Sequence, residues 1–179
     1  MAISETDEFS QADYLAQVTH ITKDIVTLDA SMVLEIGMGK GFNMYHIKNT
    51  LPNIEIYGVD YSKLHLKKSR TKAKGRAVRT DFHYLPFAAN TFDYVFEIES
   101  ICHATDMKQA LMSIYQILKP NGTFSIFDGF RIIPSNHLTD TEMKARHLVE
   151  KPLGVNEGIL IDNFIALASS VGFEVISQN

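Results

Sequence analysis

Apolar positions along the chain fall into two alternating rhythms. Short, nearly continuous apolar runs occupy 32–36, 55–60, 77–80, 94–98, 123–127 and 173–177. Their length and composition suit strands covered on both faces. Between them, apolar residues recur at helical spacing: Tyr14, Leu15, Val18, Ile21, Ile25 and Val26 within 11–28, and Ala110, Leu111, Ile114, Ile117 and Leu118 within 106–118. Residues 42–49, 62–74 and 162–170 also read as helical, with Ser62 in a capping position. Pro52-Asn53, Ala89-Asn90-Thr91, Pro120-Asn121-Gly122 and Gly172 punctuate the elements. Residues 131–158 keep no clean period and read as irregular or partly helical. Strands that alternate with helices run parallel through right-handed crossovers. The pattern therefore predicts an α/β chain: a three-layer, doubly wound, mostly parallel sheet, whose ligands bind beyond the C-terminal strand ends.

Composition narrows this reading. A length of 179 residues fits one domain, with 1–30 as an N-terminal helical cap and 131–160 as an insertion. The net charge of −4 offers nothing to a nucleic-acid backbone or an anionic membrane. The basic run Lys67 to Lys74 reads as a solvated helix face. No apolar run approaches the ~18 residues of a membrane helix, and Met1–Ser10 lacks the basic and apolar parts of a signal peptide. The single cysteine, Cys102, excludes an internal disulfide and fits a reducing compartment, so a cytoplasmic location is expected. Histidines are scattered without ligand spacing, so no metal site is expected.

The most informative segment is Glu35-Ile-Gly-Met-Gly-Lys-Gly41, directly after the first apolar run. Glycines after a strand let the backbone approach a ligand, and the helix that follows would aim its free N–H groups at an anionic group there. The spacing is not that of a dinucleotide fingerprint, which would need glycine at Phe42, nor of a P-loop, which would need Gly-Lys at Phe42-Asn43. Asp60 ends the second run, about 20 residues on, where an acid reaches a ribose in dinucleotide folds. Asp81-Phe82 follows the third run, and Glu97-Ile-Glu-Ser-Ile-Cys-His-Ala104 closes the fourth.

The acid-x-G-x-G-x-G turn, Asp60, Asp81-Phe82, Phe92-Asp93-Tyr94-Val95 and Leu118-Lys119-Pro120-Asn121-Gly122 resemble, in that order, the motifs of class I S-adenosylmethionine (SAM) dependent methyltransferases. Asn121 stands where the family usually has glycine, and asparagine tolerates turn conformations nearly as well. The resemblance implies that Gly37, Gly39 and Gly41 hold the methionine portion of SAM, with Glu35 steering its ammonium group. It implies that Asp60, with Tyr61 beside it, takes the ribose, Asp81 and Phe82 take the adenine, and Glu97 and Ile98 touch the cofactor partly through backbone. S-adenosylhomocysteine would be the product.

The stretch 99–104 is similar to the Glu-Ala-x-Cys-His-Ala signature of sterol C24-methyltransferases. In a helical turn, Glu99 and His103 would share a face and address the acceptor. A carboxylate and an imidazole suit stabilising a carbocation and removing its proton, or deprotonating a hydroxyl. The implied acceptor is a small, fairly apolar molecule, lipid-, sterol- or polyketide-like, methylated on carbon or oxygen. Its expected walls are the N-terminal helix and 131–158, including Tyr14, His137 and Met143.

The family adds a seventh, antiparallel strand that is not evident in this sequence, so homodimerisation, a completing chain or further residues of a longer protein are expected. An incomplete or non-catalytic module needing a partner chain is therefore an alternative. A nicotinamide-dependent oxidoreductase is a weaker one, given the glycine spacing and the lack of a Tyr-x-x-x-Lys pattern.

Overall fold

The computed structural model describes residues 13–69, 76–152, 154–155 and 158–178. Its elements are α1 (Asp13–Thr27), β1 (Met32–Ile36), α2 (Phe42–Thr50), β2 (Glu55–Asp60), α3 (Lys63–Ser69), β3 (Arg76–Arg79), β4 (Phe92–Ile98), α4 (Met107–Ile117), β5 (Leu118–Phe127), α5 (Asp140–Glu150) and α6 (Ile161–Val171). Short 3₁₀ turns occupy Ile101–His103 and Ser135–His137. The strands form one five-stranded sheet in the order β3-β2-β1-β4-β5, parallel throughout. The order reverses at β1, so the topological switch lies between β1 and β4.

Both sheet faces are apolar and covered. Val33, Tyr94 and Phe96 point to one face, where Val18, Ile21 and Ile25 of α1, Met44 and Ile47 of α2 and Leu66 of α3 pack on them. Leu34, Ile36 and Val95 point to the other, against Leu111, Ile114 and Ile117 of α4 and Phe164 and Ala168 of α6. Period-two alternation between two buried faces explains why the strands read as continuous apolar runs rather than alternating ones.

Three details depart from the sequence reading. First, β5 begins at Leu118, and Pro120-Asn121-Gly122 is absorbed as a register shift against β4 rather than a separate turn. Asn121 adopts φ +63 there, the left-handed conformation that asparagine tolerates. Second, no sixth strand forms among the described residues. Residues 173–178 pair with no strand there, and Val175 and Ile176 are 47% and 76% exposed. Phe173 instead stacks on Tyr115 and Phe124. Strand propensity is not enough without a neighbour to take the ladder bonds. Third, α5 is a regular helix inside the segment read as irregular. Thr139 and Glu142 close a full capping box at its start. The helix read over 62–74 is described only as α3; Arg70 to Gly75 lie outside the described residues, as do 1–12 of the N-terminal cap.

Two contacts fix the opposite ends of the central strands. At the N-terminal end, Asp93 of β4 accepts bonds from Ser31 N (3.1 Å), Ser31 Oγ (3.0 Å), Met32 N (2.8 Å) and Lys119 Nζ (2.6 Å), joining β4 to the start of β1 and to β5. Partial burial opposes its ionisation, yet the bonds from Lys119, Met32 and Ser31 outweigh it and pull the pKa down to about 2. At the C-terminal end, Gly37 sits at φ +66 directly against Ser100.

Two outcomes are expected. Asp93→Asn loses about 2 kcal/mol of stability at neutral pH. The wild-type advantage is full above the unfolded value of 3.8 and fades as pH falls towards 2, which urea unfolding across that range checks. At Gly37, an alanine Cβ would overlap Ser100 Cβ and lie 2.7 Å from its Oγ, at an unfavourable φ. Gly37→Ala is expected to cost ~2–4 kcal/mol, read as a lowered thermal midpoint.

Candidate functional site

The C-terminal rim of the sheet brings the glycine turn, Asp60 and Asp81 together. Met38 N donates to Val59 O at 3.0 Å, so the turn folds back over β2. Asp60 is buried at the end of β2 and serves two segments at once. Its Oδ2 accepts from Gly39 N at 2.9 Å and its Oδ1 from Ser62 N at 2.7 Å, with His65 Nδ1 3.2 Å from Oδ2. Ser62 Oγ accepts from His65 N at 3.3 Å, so the capping role of Ser62 is real as well. Gly39, at φ +53, has nothing within 4 Å of where a Cβ would stand, which leaves its backbone bare towards open space. Gly41 opens α2 in the left-handed conformation without a side-chain cap. Tyr61 is exposed, and its ring lies 5.6 Å from the Arg79 guanidinium.

Glu35 is the unusual group of the turn. Its side chain is 2% exposed, and Oε1 accepts from Asn43 Nδ2 at 2.7 Å. Oε2 is buried and has no hydrogen-bond partner among the described residues. Burial pushes the pKa up to about 8, against the bonds from Asn43 and Met44 N, and the nearby Asp60 carboxylate pushes the same way as burial. The carboxyl is therefore mostly protonated at neutral pH, and a cation arriving at Oε2 would ionise it.

Asp81 follows β3, whose last bond to the neighbouring strand is Thr80 N to Asp60 O at 3.2 Å. The two aspartates thus lie on adjoining loops of one rim. Asp81 Oδ1 accepts from both His83 N (3.0 Å) and His83 Nδ1. Its carboxyl sits below the usual range, chiefly through the His83 backbone N–H. Phe82 is half-buried, its ring centroid 4.9 Å from that of His83.

On the other side of the switch, Glu97 is fully buried at the end of β4. Its Oε2 accepts from Ser100 N (2.8 Å), Ser100 Oγ (2.9 Å) and Ile101 N (3.0 Å), while Oε1 has no partner among the described residues. Burial first, then the Asp128 carboxylate, pushes its pKa up to about 8. With three donors on Oε2, the proton of the neutral acid falls on Oε1, where it meets no acceptor among the described residues. Glu97 therefore holds the loop 97–101 in place through its own side chain. Ser100 Oγ also lies 3.1 Å from Ile36 O, tying this loop to β1. Ile98 is half-buried against the α1–α2 core.

Glu99 and His103 do not share a helix face. Glu99 stands at φ +52 ahead of the 3₁₀ turn, which spans only Ile101–His103. Four residues of sequence do not make one helical turn when the first is left-handed. Both side chains are exposed, and a Cβ at Gly154 would lie 3.9 Å from His103 Cε1. Cys102 N donates to Asp128 Oδ2 at 2.9 Å; burial and then Asp128 push its thiol up to about 12, which removes it as a nucleophile.

Asn43, Ser100, His83 and Asp128 hold the site carboxylates or loops and were not singled out in the sequence; only their proximity to an acid, after folding, distinguishes them. The Tyr14 side chain lies outside the described residues, His137 is exposed and Met143 half-buried. A cavity of about 470 Å³ lined by His83, Tyr84, Gln109, Met112, Ser113 and Tyr115 lies behind the Asp81 loop, away from the glycine turn. Among the described residues no group of His, Cys, Asp and Glu is placed to hold a metal ion, and no helix is long and apolar enough to cross a membrane.

Comparison with known proteins fits this arrangement. The methyltransferase domain family matches residues 34–126. The sterol 24-C-methyltransferase of Kluyveromyces lactis is 27% identical over 154 residues, 83% of this chain and 42% of its own length. Sterol methyltransferase-like 3 of Botryococcus braunii is 31% identical over 123 residues, 64% of this chain and 31% of its own. The chain thus spans less than half the length of these relatives. Among solved structures, the cyclase SpnF superposes with a TM-score of 0.78 at 19% identity, over 98% of this chain and 63% of that one. Phosphoethanolamine N-methyltransferase 2 of Haemonchus contortus, in complex with SAM, does so with a TM-score of 0.72 at 22% identity, over 88% and 36%. With its parallel sheet, its glycine turn and a family match across the core of that sheet, the chain belongs to the methyltransferase domain family of class I SAM-dependent methyltransferases.

Proposed function

We propose that this chain binds SAM at the glycine turn and transfers its methyl group to a carbon or oxygen of a small, fairly apolar acceptor. The observation that carries the reading is Glu35: a buried carboxyl with one unpartnered oxygen, beside a backbone that Gly39 leaves bare. Such an oxygen suits a ligand ammonium group, and the bare backbone suits a ligand chain laid along it. Asp60 has lone pairs left for ribose hydroxyls beyond its two backbone bonds. Asp81 and Phe82 are assigned to adenine, Tyr61 to the ribose edge, and the Glu97–Ile98 backbone to the nearer rim.

SAM, when bound, supplies an electrophilic methyl group on sulfur. The chain's part is alignment and exclusion of water. Glu99 and His103 are assigned to the acceptor side. His103 takes a proton from an acceptor hydroxyl, or from the carbon cation left by alkene methylation, and Glu99 stabilises positive charge there. The segment 131–158 is assigned to the outer wall, a role supported by the approach of Gly154 to His103. The sterol methyltransferase relatives favour an apolar acceptor.

A net charge of −4 supports an acceptor other than nucleic acid, and one lone cysteine supports a cytoplasmic setting. A second reading, of a module completed by a partner chain or a second copy, is favoured by β5, a sheet edge among the described residues, and by Val175 and Ile176, which pair with no strand there and are exposed.

Asp60→Ala is expected to weaken SAM binding by ~10-fold or more through loss of charge-assisted bonds; an unchanged dissociation constant in calorimetry removes Asp60 from the site. For Glu35, ligand binding must expel the proton held by a carboxyl with a pKa of about 8. S-adenosylhomocysteine affinity should therefore tighten as pH rises towards that value and level off beyond it. Glu35→Gln should flatten the profile and weaken binding. A wild-type profile that is already flat below pH 8 excludes the ammonium contact.

A further inference from the structure

His83 touches both the Asp81 loop and the start of α4, and nothing in the proposed reaction uses it. It is buried, with 7% of its surface exposed. Asp106 N donates to its Nε2 at 3.2 Å. A backbone N–H can only donate, so Nε2 must carry the lone pair and Nδ1 the proton. That assignment settles the other bond: Nδ1–H donates to Asp81 Oδ1. The His83 backbone N–H donates to the same oxygen at 3.0 Å. Both donors fall on Oδ1, whereas Oδ2 has no partner among the described residues, and the Asp81 side chain is 47% exposed.

The ring is itself held. Gln109 Nε2 donates to His83 O at 3.0 Å, and Asp106 caps α4 by accepting from Gln109 N at 2.9 Å. Ser113 Oγ accepts from Leu85 N at 2.9 Å, further along the same loop. The loop after β3 is thus fastened to one face of α4, and the imidazole transmits that fixed position to the Asp81 carboxylate.

We propose that His83 is the positioning residue for nucleobase recognition: it pins Asp81 Oδ1 through Nδ1–H and so presents Oδ2, ionised and acceptor-only, to a base that carries an exocyclic amino group. The inference rests on the reading that Asp81 meets the adenine. An ionised carboxylate with a fixed outer oxygen accepts from a 6-amino group and repels a 6-oxo group. Without the pin, the carboxylate rotates and the preference for amino over oxo decays. The lowered pKa of the Asp81 carboxyl, held down chiefly by the His83 backbone N–H, agrees with this role.

The test compares S-adenosylhomocysteine with its 6-oxo analogue, S-inosylhomocysteine, by calorimetry on the wild-type chain and on two variants bearing the same amide. In His83→Asn the amide nitrogen stands where Nδ1 was, so the donor to Asp81 survives and the acceptor for Asp106 N is lost. In His83→Gln the amide stands where Nε2 was, so the tie to α4 survives and the donor to Asp81 is lost. The wild type should prefer the amino compound. The His83→Asn variant should keep that preference, and the His83→Gln variant should lose ~10-fold of it.

A merely structural histidine gives the reverse ranking, because only glutamine preserves the tie to α4. That reverse ranking, or equal loss in both variants, overturns the proposal. A wild type that binds both compounds equally overturns it through Asp81 while leaving cofactor binding standing. A wild type that binds neither brings down the proposed function with it.

Discussion

The contact on which the site depends is the one between Gly37 and Ser100. Two parallel strands, β1 and β4, end side by side, and the chain leaving each must turn sharply. The turn after β1 passes so close to Ser100 that no Cβ fits, and Ser100 Oγ reaches both Ile36 O and the Glu97 carboxyl. The loop assigned to the cofactor and the loop assigned to the acceptor are therefore one packed unit. Neither can shift without the other, so distance between two ligands can be set by backbone packing rather than by long side chains.

That closeness explains the two buried glutamates. Glu35 and Glu97 each lie at the C-terminal end of a central strand, out of water, where an ionised carboxylate is costly unless donors surround it. The environments differ in how many donors they provide. Glu97 has three on one oxygen and remains a structural clamp. Glu35 has the Asn43 amide and the Met44 backbone, and its second oxygen is buried without a partner among the described residues. The same residue type near the end of two neighbouring strands is a brace in one case and, in the other, the group assigned to a ligand's positive charge.

The superposition on SpnF shows how little the sheet alone says about chemistry, since a cyclase and a methyltransferase share it. What distinguishes this chain on the side assigned to the acceptor is local: a left-handed Glu99, an exposed His103 and Gly154, shortly after the capped α5, close to it. Loops and insertions carry substrate choice in open α/β sheets because the strands beneath them are committed to packing.

The alternation of strands and helices as far as β5, the parallel sheet and the glycine turn were determined by the sequence, because they follow from local rules: apolar period, helix caps, and glycines where φ turns positive. The positions of Asp60 and Asp81 were equally legible, since strand ends in a doubly wound sheet converge on one rim. The T-x-x-E capping box at Thr139–Glu142 was legible too and marks a helix that the weak apolar period of 131–158 conceals. Other features needed the fold. Residues 173–177 have strand propensity, but a strand requires a paired neighbour and they pair with none among the described residues. Glu99 and His103 have helical spacing, but their orientation depends on a single backbone conformation at Glu99. His83, Asn43 and Ser100 carry no motif at all. Asn43 meets Glu35 across 8 residues, and although His83 and Ser100 bond a nearby acid, their ties to Asp106 N and Ile36 O span 23 and 64 residues and exist only once the sheet and α4 have come together.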